Sequence, residues 1–151
     1  MNLDRRWLLL ILRVHLGVIL LLTVTGKISR GQFTTEMLGF LQRPGMSSAP
    51  GFYRAFVSSV VVPQARLFAG LVIVGELTAG LSLLLGVGTT IGAAIAMFLF
   101  VNYMLAKARW FWSPDSQDAA VFFEALVILL GSMAPNLPLR RRQRTEHPSV
   151  T

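Results

Sequence analysis

The sequence predicts an all-α integral membrane protein, a four-helix bundle with one or two interfacial amphipathic helices between helices 1 and 2. Three observations lead there. Hydrophobic residues make up 54% of the 151 residues and charged residues only 14%, with a mean hydropathy of +0.62. A soluble domain is about a quarter charged, so this chain lacks the polar surface to face water all round. The apolar residues fall into four runs at 7–26, 67–85, 89–105 and 119–134, each near the roughly 20 residues that a spanning helix needs. The stretch between the first two runs, residues 27–66, is mixed in character and too polar to span. The chain reads as a single membrane domain without internal repeats.

The first run follows Arg5-Arg6 and resembles a secretory signal at its start. It continues past Leu22, is interrupted by Arg13, and has no small-residue cleavage site, so it reads as an uncleaved first helix. Within residues 27–66, Phe33, Met37, Phe40 and Leu41 recur at helical spacing, as do Phe52, Phe56 and Val60. Between them Pro44-Gly45 and Pro50-Gly51 break any helix. Two short amphipathic helices lying on the membrane surface are the expectation. Gly86-Val87-Gly88 predicts a tight hairpin between the second and third spans, and Gly88, Gly92 and Ala96 form a small-residue stripe for close packing within the chain.

The net charge is +7. The basic residues are scattered between apolar runs, which argues against a nucleic-acid partner and for contact with the bilayer. An even number of spans places both termini on one side. The Arg5-Arg6 pair and the basic tail at 137–151 concentrate charge beside spans, which favours cytoplasmic termini in a cell inner (plasma) membrane. Trp110, Trp112 and Tyr103 suit an aromatic belt at the opposite interface. The chain has no cysteine, which excludes disulfide relays, iron–sulfur clusters and thiolate zinc sites. No metal site is expected.

Ionisable groups inside a span need a partner or a role. The candidate intramembrane polar cluster is Arg13, Lys27, Glu76, Asn102 and Glu124, with His15 a secondary candidate. At about 1.5 Å per residue, Glu76 lies about 14 Å into the second span, near the midplane. Arg13 and Lys27 lie on nearly the same helix face, about 40° apart, and either is a partner for Glu76. Gly80, one turn after Glu76, leaves room beside the carboxylate. Glu124 and Asn102, with Lys27, form a candidate polar pocket opening outward. The ordinary alternative is that Glu76 only fixes helix register, while Arg13 snorkels. For Glu124 the alternative is a side chain reaching the interface, and for His15 a packing residue.

Three stretches resemble the DoxX-like family of four-helix membrane proteins: Leu12-Arg13-Val14-His15-Leu16-Gly17 with Thr25-Gly26-Lys27; Gly75-Glu76 through Gly80 to Leu83-Leu84-Leu85-Gly86; and Val101-Asn102-Tyr103-Met104-Leu105-Ala106. The resemblance spans residues 13 to 131. It implies a membrane location and a shortlist of functions, since the family includes the membrane subunit of thiosulfate:quinone oxidoreductase. It thus implies quinone as redox partner in a quinone-dependent oxidoreductase subunit. The alternative is a non-catalytic accessory subunit of a larger respiratory or photosynthetic membrane complex, with other membrane subunits as partners. A transporter ranks behind both. The sequence departs from the family pattern after span four, where Pro135-Asn136-Leu137-Pro138 leads into arginines.

Overall fold

The structure, a computed structural model, describes residues 5–109, 111–113 and 116–133. All regular structure among them is helical, in the order α1 (Arg5–Arg30), α2 (Phe33–Leu41), a 3-10 turn (Pro44–Ser48), α3 (Gly51–Phe56), α4 (Ala65–Leu85), α5 (Thr89–Lys107) and α6 (Gln117–Met133). The basic tail at 137–151 and Trp110 lie outside the described residues.

Helices α1, α4 and α5 are each long and apolar enough to cross a membrane. The fourth member, α6, has 17 residues, or about 25 Å at 1.5 Å per residue. The bundle is a closed ring, in which α1 packs on α4, α4 on α5, α5 on α6, and α6 back on α1. Its centre holds Leu16, Leu20, Leu83, Phe100 and Ile128 around Ala79, Ala93, Ala96 and Ala125. The alanines let the helices approach closely, as bilayer helices require when lipid is as apolar as their side chains. The outer faces carry Leu22, Leu71, Leu81, Ile91, Phe98 and Leu130, all exposed. Such an apolar surface suits lipid.

Turn chemistry marks the ends. Gly31, at φ 65°, stops α1. Gly86 at φ 78° and Gly88 at φ 63° make the α4–α5 hairpin, where a left-handed residue is cheap only for glycine. The small-residue stripe packs inside the chain: a Cβ at Gly92 would stand 2.5 Å from Ser82 Oγ on α4. We call this the hairpin end.

At the other end, residues 31–64 fold into a cap. Met46, Ala49, Tyr53, Val57 and Val61 bury together against Ala106 of α5. The two short helices are present. The face of the second that turns to the core is Tyr53, Val57 and Val61, while the Phe52, Phe56 and Val60 row lies beside it, with Phe52 71% exposed. The two rows differ by one residue, about 100° of helix. Where one side meets lipid, no polar face tells the sequence which apolar row turns inward. A π-helical turn at Val57–Val61 carries α3 toward α4, and Phe56 packs edge-on against Phe68 of α4, ring centres 6.0 Å apart.

Candidate functional site

Glu76 sits in the middle of α4, 2% exposed. An ionised carboxylate there needs a cation and hydrogen-bond donors. Lys27, from the last turn of α1, supplies the cation: its Nζ lies 2.5 Å from Glu76 Oε1. Tyr103, from α5, donates its hydroxyl hydrogen to the same oxygen at 2.6 Å. Lys27 also donates to the Tyr103 hydroxyl oxygen at 3.2 Å. The triangle therefore joins α1, α4 and α5. The ring of Phe33, at the start of α2, covers the ammonium at 4.7 Å, a cation–π contact that strengthens as water is removed. Glu76 Oε2 is buried and has no hydrogen-bond partner among the described residues.

Arg13 does not reach this triangle. Gly17 of α1 lies against the backbone of Gly80 and Leu84, and the Arg13 guanidinium lies against Gly86, where a Cβ would stand 2.7 Å from it. The helix register thus sets Arg13 level with the C-terminal end of α4, not with its middle. There its charge faces the negative end of the α4 dipole. The space at Gly80 is also used differently: Leu21 of α1 fills it, 3.0 Å from where a Cβ would be.

Glu124 is held elsewhere. His15 Nδ1 lies 2.8 Å from Glu124 Oε1, with the His15 side chain 60% exposed. His15 and Arg13 face different neighbours, as their separation round the helix requires. The Asn102 side chain turns back on its own helix, donating to the Phe98 carbonyl at 2.8 Å. The backbone carbonyl of Asn102 accepts the Tyr53 hydroxyl at 3.2 Å, and burial raises the Tyr53 phenol above its ordinary value. Of the five candidate residues, Lys27 and Glu76 come together; Arg13, Asn102 and Glu124 do not join them.

Two participants escaped the sequence reading. Tyr103 was expected in an interfacial belt, yet it points at Glu76. Lys107, one turn further along α5, pairs with Asp118 in the first turn of α6, its Nζ 2.9 Å and 2.6 Å from the two carboxylate oxygens. A cation closing one helix and an anion opening the next was the signal available for that pair.

Residues 8–108 match the DoxX family. The chain belongs to the DoxX family. The match covers about two thirds of the sequence and includes Lys27, Glu76 and Tyr103. No curated protein and no solved structure matches it. This DoxX-family membrane protein thus carries one buried ion pair with a phenol at its heart, a separate His15–Glu124 pair, and a Lys107–Asp118 pair beneath the cap.

Proposed function

We propose that this DoxX-family chain is the membrane subunit of a quinone-linked oxidoreductase of the thiosulfate:quinone type, set in the cell membrane with both termini cytoplasmic. The observation that carries the proposal is the unpartnered Glu76 Oε2, buried beside a fully engaged Oε1. A buried carboxylate oxygen without a donor costs about 1–3 kcal/mol or more. A ligand that brings a hydroxyl donor into the bilayer relieves that cost, and a quinol is such a ligand. The residues present also fit the oxidised form. Lys27 has three donors and uses two, on Glu76 and Tyr103, leaving one for a carbonyl oxygen.

A bound quinone supplies two-electron, two-proton exchange. The chain supplies the rest. Lys27 and Tyr103 both bond Oε1, so Oε2 is the oxygen left to meet a hydroxyl hydrogen of the ligand. Phe33 screens the ammonium from water. Oxidation of the sulfur substrate falls to a partner subunit, since this chain has no cysteine.

The test is quinone-analogue reduction, followed by absorbance, in proteoliposomes given thiosulfate and the co-purifying partners. Glu76→Gln is expected to lower turnover at least about 100-fold, while His15→Ala keeps it within about twofold. Equal turnover for Glu76→Gln and the unaltered chain would overturn the proposal and leave an accessory subunit as the reading.

A further inference from the structure

A second polar site lies beneath the cap. The ends of α2 and α5, the start of α6 and the 3-10 turn line an open cavity of about 440 Å3, walled by Phe40, Arg43, Met46, Lys107, Arg109 and Asp118 among others. Among the described residues its lining carries the cations Arg43, Lys107 and Arg109 and the carboxylate Asp118. Lys107 is committed to Asp118, at 2.9 Å and 2.6 Å from its oxygens. Arg43 stacks over the Phe40 ring at 5.5 Å and pairs with no carboxylate among the described residues.

The backbone is shaped to bring the cations there. Ala108 adopts φ 52°, a left-handed conformation unfavourable for a residue with a Cβ. It lets the Arg109 N–H return to the Met104 carbonyl at 3.0 Å, closing α5 with Lys107 and Arg109 on the two sides of the turn. Phe40, Met46 and Ala106 give the same cavity an apolar wall.

We propose that this cavity binds a phosphate-type oxyanion, carried by an anionic lipid headgroup or free in solution. The guanidinium fork of Arg43 matches such oxygens in geometry as well as charge. The volume falls in the range of sites for small organic ligands, about 300–1,000 Å3, which is generous for a bare ion and suited to a glycerophosphate group. The apolar wall then meets the glycerol and the first acyl carbons. The site stands independently of the quinone reading: none of its lining residues belongs to the Lys27–Glu76–Tyr103 triangle.

The experiment is native mass spectrometry of the full chain in a neutral maltoside detergent, with phosphatidylglycerol, diacylglycerol of the same acyl chains, or inorganic phosphate added separately. Two variants remove one positive charge each from the same end of the bundle: Arg43→Gln in the cavity, and Arg66→Gln on the exposed first turn of α4. Phosphatidylglycerol is expected to bind in one-to-one stoichiometry and diacylglycerol not to bind. Arg43→Gln should weaken the adduct about tenfold, as loss of a charge-assisted contact does, and Arg66→Gln less than twofold. Binding of phosphatidylglycerol alone assigns the anion to a lipid headgroup; binding of inorganic phosphate as well assigns it to free phosphate chemistry. Binding of neither, equal binding of diacylglycerol, or equal loss in the two variants would overturn the proposal.

Discussion

The two ends of this bundle treat polar groups in opposite ways. At the hairpin end every described polar contact closes backbone or pins neighbouring helices. Ser82 Oγ donates within reach of the Val87 and Gly88 carbonyls, at 2.6 Å and 3.0 Å. Thr90 and Ser132 share a hydrogen bond at 3.0 Å between α5 and α6, and Arg13 sits over the glycine turn. Most of these are short contacts around small residues; Arg13 is the charged exception, and its buried Nε has no hydrogen-bond partner among the described residues. Toward the cap end lie the two Lys–carboxylate pairs: Glu76 Oε2 has no partner among the described residues, and a pocket opens beside Lys107 and Asp118. The closest backbone contacts lie toward the hairpin end, where glycine and alanine allow them, and the described pocket lies where a cap of short helices replaces a tight turn.

The difference can be broken from either side. The largest effect is expected for Glu76→Ala, which strands Lys27 in the bundle: about 3–5 kcal/mol of stability lost, read as thermal unfolding in detergent. Gly17→Leu attacks the packed side instead. A Cβ there would stand 3.0 Å from the Gly80 carbonyl oxygen and 3.0 Å from the Leu84 nitrogen, both rigid backbone, so a loss of about 3 kcal/mol is expected in the same assay. Tyr103→Phe removes one hydrogen bond to a charged acceptor and should cost about 1.5 kcal/mol while leaving the helical circular-dichroism signal intact. His15→Ala is the smallest: its partner contact has an open imidazole side, and exposed pairs contribute about 0.2–1 kcal/mol. A His15→Ala loss equal to that of Glu76→Ala would erase the contrast between the two carboxylates.

Much of the fold was legible because it is written in local sequence. Residues 67–85 and 89–105 were expected to span, and α4 and α5 run Ala65–Leu85 and Thr89–Lys107. The first helix extends beyond residues 7–26 to Arg30, where Gly31 ends it. Apart from the Lys107–Asp118 pair, the gaps are matters of register between helices, which no local pattern carries. Arg13 and Lys27 share a face, so angular position could not choose between them; the stagger of α1 on α4 does. Tyr103 reads as an interfacial aromatic by type, and only the position of Glu76 on the next helix turns it into a donor.

The most direct measurement is a pair of double-mutant cycles on unfolding stability, Lys27→Met with Glu76→Leu and Arg13→Met with Glu76→Leu. The account predicts a coupling of about 2 kcal/mol or more for the first cycle, where the partners touch, and within about 0.5 kcal/mol of zero for the second. Strong coupling of Glu76 to Arg13, with none to Lys27, would contradict it.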